Sequence, residues 1–309
     1  MAVVRNDFID RVQYIGLRIV HMFMHCWPVH VNVRIAEMIG DILYRVDAKH
    51  RKRAYHNIQR CFPHFSHERV DTLARESMRQ TICLFFEVLF TTRLIRIDTF
   101  TQYVKLGNFK SSLELLMQQN RGLIMITGHY GNWEVLGYVL GSLGFPTLSV
   151  ARPLDNKYVN KWLLGVRERM GQRIVDKKGA TEIIIKTLEA HGTVAFLADQ
   201  NAGPKGLFVD FFNRKASTYK SIALLAMQYN VPIVVGYARR LSIYYEFEIG
   251  TQDVIYPEDW ADVDNPIMYI TQRYTKAIED FVSADPGQYL WIHRRWKTRP
   301  KGEQPETYD

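Results

Sequence analysis

The sequence predicts an α/β protein with a central mixed, largely parallel sheet flanked by helices and a helical amino-terminal region. Two observations predict this fold. After Phe109, short apolar runs such as GLIMIT, TVAFLA and PIVVGYA alternate with segments of helical periodicity, the pattern of strands covered by helices on both faces. From Val31 to about Ile97 the apolar spacing is helical throughout. We therefore predict a helical region over residues 1–100, an α/β core over 101–300 and a disordered tail over 301–309.

The amino-terminal segment FIDRVQYIGLRIVHMFMHCWPVHV predicts an amphipathic helix. Charged residues and histidines interrupt every run of about 18 apolar residues that a membrane span needs, and the small-residue cleavage site of a signal peptide is lacking. On a helix, Ile15, Ile19, Phe23 and Trp27 form one apolar stripe, with Tyr14 and Met22 beside it. The stripe fits a membrane-associating helix that lies at the lipid interface, or equally a helix docked on the protein's own core.

Later elements have recognisable starts and stops. Ser66, just before Glu68 and Arg69, is a start signal for the helix of RVDTLARESMRQTICLFFEVLF. The basic segment KHRKRAYHNIQR predicts a solvated or lipid-facing helix. Gly144, Gly171, Gly192 and the NVP of residues 230–232 stand where helices should stop, and YYEFEIGTQDVIY predicts a late antiparallel strand.

The chain is basic and has three cysteines. Lysine and arginine number 40 against 32 acidic residues, a net charge of +8, which favours nucleic acid, an anionic lipid surface, a phosphorylated substrate or an acidic carrier protein as partner. The cysteines include no CxxC pair, so neither a disulfide framework nor a thiolate metal site is indicated. We expect a reducing, cytoplasmic environment and no metal.

One segment combines residues that can carry chemistry. GLIMITGHYGNWE puts His129 just past a buried strand and before a helix that Asn132 would cap, and ligands collect at such junctions. Glu134, in the first turn of that helix, would point back to the imidazole and hold its tautomer, as the acid of a hydrolase triad does. The nucleophile would then be a hydroxyl of the substrate. A satisfied loop histidine beside a helix-start acid is the alternative interpretation.

Several segments resemble one enzyme family. GHYGNWE resembles the HxxxxD/E motif of the glycerolipid acyltransferases, whose core is of the glycerol-3-phosphate acyltransferase type. The chain further resembles the late (lauroyl and myristoyl) acyltransferases of lipid A biosynthesis, and the segments occur in the order expected for that family. They are KHRKRAYHNIQRCFP, ARPLDN, AFLADQNAG, LFVDFFNRKAST and WIHRRWKTRP. The family usually has a glycine after FF, where this chain has Asn213, a residue that can also adopt the left-handed backbone.

The resemblance implies roles for seven residues. His129 would be the catalytic base and Glu134 its partner. Substrate-binding residues would be Asn132, Arg152, Arg167, Asp199 and Gln200. Arg152 would contact a phosphate or the thioester oxygen. Without the resemblance, Arg152 is interpreted as a surface arginine, Arg167 as a helix-end cation, and Asp199 with Gln200 as loop caps.

The resemblance also implies a reaction and its partners. A fatty acyl group would move from an acyl carrier protein or coenzyme A thioester, a co-substrate and not a cofactor, to a hydroxyl of a lipid A precursor or related glycolipid. The site would face the cytoplasm at the bacterial inner membrane, with the protein peripheral or singly anchored.

The carboxy-terminal WIHRRWKTRP, with tryptophans among cations, suits anionic lipid and also single-stranded nucleic acid; we favour lipid and expect no nucleic acid. Lysophospholipid or other glycolipid acylation, and a non-catalytic basic module that binds membrane or nucleic acid, stay open. The absence of GxSxG disfavours an ester hydrolase.

Overall fold

The computed structural model describes residues 6–176 and 179–304. Within them lie eleven α-helices and nine strands, with three short 3₁₀ segments. The helices are α1 Asp7–Met24, α2 Val29–Val46, α3 Ala48–Cys61, α4 His67–Leu94, α5 Phe100–Tyr103, α6 Lys110–Gln118, α7 Trp133–Ser142, α8 Lys157–Arg167, α9 Ala180–Glu189, α10 Ser221–Tyr229 and α11 Pro266–Ala284. The strands are β1 Val104–Leu106, β2 Leu123–Thr127, β3 Thr147–Ala151, β4 Arg173–Asp176, β5 Thr193–Leu197, β6 Leu207–Phe211, β7 Arg214–Thr218, β8 Ile233–Ser242 and β9 Glu246–Ile255.

Seven strands form one sheet in the order β1-β9-β8-β2-β5-β3-β4, and β6 and β7 form a separate hairpin. All neighbours in the large sheet are parallel except β8 and β9, which are antiparallel. The predicted mixed, largely parallel sheet flanked by helices is therefore confirmed, as is the late antiparallel strand.

The sheet separates two apolar cores. Along β2, Ile124 and Ile126 pack into one core and Leu123 and Met125 into the other, because successive side chains of a strand point to opposite faces. Both faces of β2 are therefore buried beneath helices, which makes it a rigid base for the loop that follows it.

Local start and stop signals behave as predicted. The Ser66 hydroxyl accepts the amide hydrogen of Arg69 (3.2 Å) where α4 begins. Asn213 adopts a left-handed backbone, φ 56°, in the turn between β6 and β7. Gly144 and Asn230 follow α7 and α10 with φ of 87° and 50°, so they end these helices as expected.

The amino-terminal stripe lies on the surface. Ile15, Ile19, Phe23 and Trp27 are each about half exposed, so this stripe does not dock α1 on the core. Polar contacts hold α1 to α8 instead: Lys157 pairs with Asp7 (2.6 Å), and the Asn156 amide donates to the backbone carbonyl of Asp10 (2.9 Å). In the part of the chain that the structure describes, no helix combines the length and apolarity of a membrane span.

The carboxy-terminal segment corrects the expectation that WIHRRWKTRP faces lipid. Trp291, Arg295 and Trp296 are at most 2% exposed. The two rings pack among the aromatic side chains of the core, where Trp296 stacks on Phe211. Burial of two large rings stabilises the fold and leaves neither ring available to a lipid surface. Of the tail predicted to be disordered, residues 305–309 lie outside the described residues, and 301–304 form a turn.

Candidate active site

The candidate site lies at the carboxyl ends of β2 and β5, two parallel neighbours near the middle of the sheet. The amide of Ala198 donates to the carbonyl of Thr127 (3.0 Å), which continues the pairing one residue beyond the strands. The loops that follow, with His129 on one and Asp199 on the other, are therefore adjacent.

Asp199 makes two hydrogen bonds with His129. Its Oδ1 lies 2.7 Å from Nδ1 of the ring, and its Oδ2 accepts the backbone N–H of His129 at 2.7 Å. The side chains are 13% exposed for His129 and 3% for Asp199. Burial would raise the pKa of Asp199, but the attraction and hydrogen bonds of His129 outweigh it and hold this pKa at about 2. Asp199 is therefore a carboxylate at neutral pH, and Nδ1 of the neutral ring donates to it, which leaves the lone pair on Nε2.

Gln200 occupies the other nitrogen of the same ring. Its amide nitrogen lies 3.2 Å from Nε2 of His129, and with the assigned amide orientation it donates to that lone pair. The ring of Trp133 packs edge-on against the imidazole, with centroids 4.8 Å apart and an interplanar angle of 66°. The imidazole is therefore held on three sides, by Asp199, Gln200 and Trp133.

The structure corrects the predicted contact between Glu134 and His129. The two carboxylate oxygens of Glu134 accept from Nε and Nη2 of Arg167, at 2.8 and 2.5 Å, in a bidentate pair. Both residues stand at helix termini that face each other, Glu134 in the first turn of α7 and Arg167 at the end of α8. A guanidinium binds a carboxylate in this fork more strongly than a neutral imidazole can. Asp199, proposed from the sequence as a substrate ligand, is the carboxylate on the histidine.

Asn132 is a structural cap, which corrects its predicted place among the substrate contacts. Its side chain is fully buried; Oδ1 accepts the amide hydrogen of Val135 (3.1 Å), and Nδ2 donates to Glu87 (2.8 Å). Arg152 is not part of the buried cluster either, since its side chain is 84% exposed and its only ion pair within the described ranges is with Asp155 (3.4 Å). The helix-capping part of the Asn132 prediction is confirmed.

The carboxy-terminal segment supplies site residues that sequence reasoning missed. Nε2 of His293 accepts the amide hydrogen of Asn201 (3.2 Å). Burial lowers the pKa of His293 to about 4; Asp199 opposes this shift and His129 adds to it. Arg295 donates through Nη1 to the carbonyl of Gln200 (3.1 Å). The signal was present in the motif WIHRRW, but its roles depend on where the chain end folds.

The arrangement can perform acid–base chemistry on a hydroxyl. A neutral imidazole whose Nδ1–H is held by a carboxylate presents Nε2 as a proton acceptor, and the carboxylate stabilises the imidazolium that results. In the described part of the chain, no three His, Cys, Asp or Glu side chains are grouped to hold a metal ion.

Comparisons with known proteins identify a family. The family model of bacterial lipid A biosynthesis acyltransferases matches residues 9–298. The chain is 27% identical over 299 residues to the lipid A biosynthesis palmitoleoyltransferase of Escherichia coli (strain K12), with 94% of this chain and 92% of that protein covered. It is 24% identical over 286 residues to the lipid A biosynthesis lauroyltransferase of the same organism, with 89% and 88% covered. A lipid A biosynthesis acyltransferase of Haemophilus influenzae is 24% identical over 289 residues, with 92% and 90% covered.

Proposed function

Because this chain belongs to the bacterial lipid A biosynthesis acyltransferases, we propose that it transfers a fatty acyl group from a carrier-protein or coenzyme A thioester, with His129 as general base. The enzyme is an acyltransferase, and its family supports a lipid A precursor as acceptor. The observation that carries the choice of base is the hydrogen bond between Asp199 and Nδ1 of His129, because it puts the ring's lone pair on Nε2, the atom that would accept the proton.

The reaction would proceed in two steps. Nε2 of His129 takes the proton of the acceptor hydroxyl while the oxygen attacks the thioester carbonyl. The tetrahedral intermediate then collapses, its C–S bond breaks, and the imidazolium returns the proton to the departing thiolate. Asp199 stabilises the imidazolium in both steps, and no covalent acyl-enzyme forms.

Gln200 and Arg167 complete the proposed site. The Gln200 amide sits at Nε2, so it marks the position that the acceptor hydroxyl takes when it binds. Nη1 of Arg167 makes no hydrogen bond within the described residues, so it can donate to an oxygen of the substrate while Glu134 holds the rest of the guanidinium.

The experiment substitutes His129 by Ala and by Gln in the full chain and measures acyl transfer to a lipid A precursor by mass spectrometry. Both variants should lose transfer with either thioester. His50→Ala is the matched control, because Nδ1 of His50 also pairs with an aspartate, Asp47, at 2.6 Å, but on the surface. Wild-type transfer by His129→Ala would overturn the assignment of the base.

The same assay separates the remaining candidates. Transfer to a lysophospholipid or another glycolipid, and not to the lipid A precursor, would favour those acceptors. A slow loss of thioester to water is expected without acceptor, since Nε2 can activate water too.

The exposed face of α1 supports peripheral attachment to the cytoplasmic side of the inner membrane. Between α1 and α8 lies a cavity of about 570 Å³ whose lining includes Tyr14, Trp162, Lys161 and Arg169. Neither cation has a carboxylate partner among the described residues. We propose that the apolar stripe enters the lipid and that this cavity takes the anionic group of a lipid.

Vesicle binding tests this attachment. Phe23→Glu should weaken binding to phosphatidylglycerol vesicles about tenfold, since the stripe then loses the burial of one aromatic ring. Met117→Glu is the control, because it places the same charge at an exposed apolar position on α6. Equal binding by the two variants would contradict attachment through α1.

A further inference from the structure

A buried carboxylate lies behind the turn that carries His129. Glu87, in the interior of α4, is 0% exposed, and Arg240 of β8 donates to it through Nε (2.5 Å) and Nη2 (2.7 Å). Replacing a buried ion pair with well-packed apolar residues is often neutral or stabilising, so stability by itself does not explain this pair.

Glu87 determines which way the Asn132 amide points. A carboxylate only accepts hydrogen bonds, so the Asn132 group that meets Glu87 Oε2 at 2.8 Å is the NH₂. Oδ1 is thereby directed to the amide of Val135, which it caps at the start of α7. With no acceptor at position 87, the buried NH₂ of Asn132 loses this partner, and only the amide of Val135 favours the capping orientation.

The backbone of the same turn is tied to β8 and the chain end. The amide of Asn132 donates to the carbonyl of Ala238 (2.8 Å), and that of Gly131 to the carbonyl of Gln288 (3.0 Å). The Gln288 side chain bonds both backbone groups of Arg240, each at 2.9 Å. Arg240 thus makes two sets of contacts: its guanidinium pairs with Glu87, and its backbone bonds the side chain of Gln288.

We propose that Glu87, held by Arg240, is a positioning residue that fixes the turn between His129 and α7 through Asn132. The proposal rests on His129 being the base. The capped first turn of α7 carries Trp133, whose ring packs on the imidazole, and Glu134, which holds Arg167. Release of the cap therefore moves Trp133, which contacts His129, and leaves strand β2 before His129 unchanged.

Two double variants test the proposal. Glu87→Gln with Arg240→Met and Glu87→Leu with Arg240→Met both remove the buried charges. The difference that matters is at position 87, where the glutamine side chain keeps an oxygen to accept from Asn132 and the leucine side chain has none. The variant with glutamine should recover transfer to within about threefold of wild type. The variant with leucine should lose about a hundredfold in kcat with little change in KM for the thioester, since misplacement by about 1 Å costs that much.

Two further measurements make the outcome decisive. Both double variants should stay folded at the assay temperature, and the leucine variant should melt only slightly lower because it loses one helix cap, which separates positioning from unfolding. NMR detects the Nδ1 proton of His129, whose signal is assigned by its absence in His129→Ala. The chemical shift of this signal should change in the leucine variant and stay at the wild-type value in the glutamine variant. Wild-type kcat and an unshifted proton in the leucine variant would overturn the proposal. Activity of His129→Ala would instead overturn the assignment of the base. The two failures can be told apart, because the NMR signal of the Nδ1 proton reports the position of the ring independently of catalysis.

Discussion

Replacement of Asp199 by asparagine tests the central feature of the site. The substitution keeps the size of the side chain and one acceptor oxygen, but it removes the negative charge next to Nδ1 of His129. The asparagine NH₂ can also donate to Nδ1, which would put the ring proton on Nε2 and abolish the base.

The size of the expected loss follows from the role of the pair. Loss of a correctly positioned general base lowers the rate by roughly 10²- to 10⁴-fold, and the lowered pKa of Asp199 shows that its attraction to His129 outweighs the cost of burying the carboxylate. In a hydrolase triad, holding the histidine in the wrong tautomer lowers kcat by about 10⁴-fold. We therefore expect kcat to fall by roughly 10²- to 10⁴-fold.

The assay measures initial rates of acyl transfer at saturating thioester and follows the Nδ1 proton of His129 by NMR. In Asp199→Asn both the rate and the hydrogen-bonded proton signal should be lost. In Glu134→Gln the proton signal should persist whatever the rate, because Glu134 contacts Arg167 and not the ring. A normal rate in Asp199→Asn, or loss of the proton signal only in Glu134→Gln, would refute this reasoning.

Three further predictions follow from other contacts. Glu134→Gln and Arg167→Gln should each lower transfer, and the double variant should lose no more than the worse single variant, because the residues act as one pair. Between pH 6.5 and 4 the unfolded chain binds a proton at His293 that the folded state excludes, so the free energy of unfolding should fall by up to about 3 kcal/mol. Urea unfolding measures this, and His293→Gln should lose less free energy of unfolding over the same pH range. The lowered pKa values of His21 and His25 act in the same direction. Gly131→Ala should lower both melting temperature and transfer, since φ is +55° there and a Cβ would overlap the carbonyl oxygen of Ala238, whereas Gly165→Ala meets open space and should do neither.

Predictions from the sequence succeeded where the physics is local. Strand and helix alternation identified the α/β core, and Ser66 and Asn132 were recognised as caps because a cap bonds to a backbone amide three residues away. Asn213 was expected in the left-handed backbone because the family usually has glycine there and asparagine can adopt the same conformation. The position of His129 at a strand end followed from the apolar run before it, which determines where β2 stops.

Contacts between distant segments were beyond this reasoning. The carboxylate on His129 comes from the end of β5, 70 residues along the chain, and only the parallel pairing of β2 with β5 makes the two loops adjacent. Glu134 is closer to His129 in the sequence, but its carboxylate pairs with the side chain of Arg167. The tryptophans of WIHRRW were predicted to face lipid but lie in the core, because composition does not say whether the fold has space to bury them.

The amino-acid sequence by itself therefore determined the fold class and the family and indicated His129 as the candidate base, since apolar periodicity and short motifs carry this information. Only the tertiary structure decided which carboxylate serves His129, which residues lie buried behind it, and that the carboxy-terminal segment closes the site. Hydrogen bonds and ion pairs form between whichever groups packing brings within about 3 Å, and that packing is a property of the whole chain.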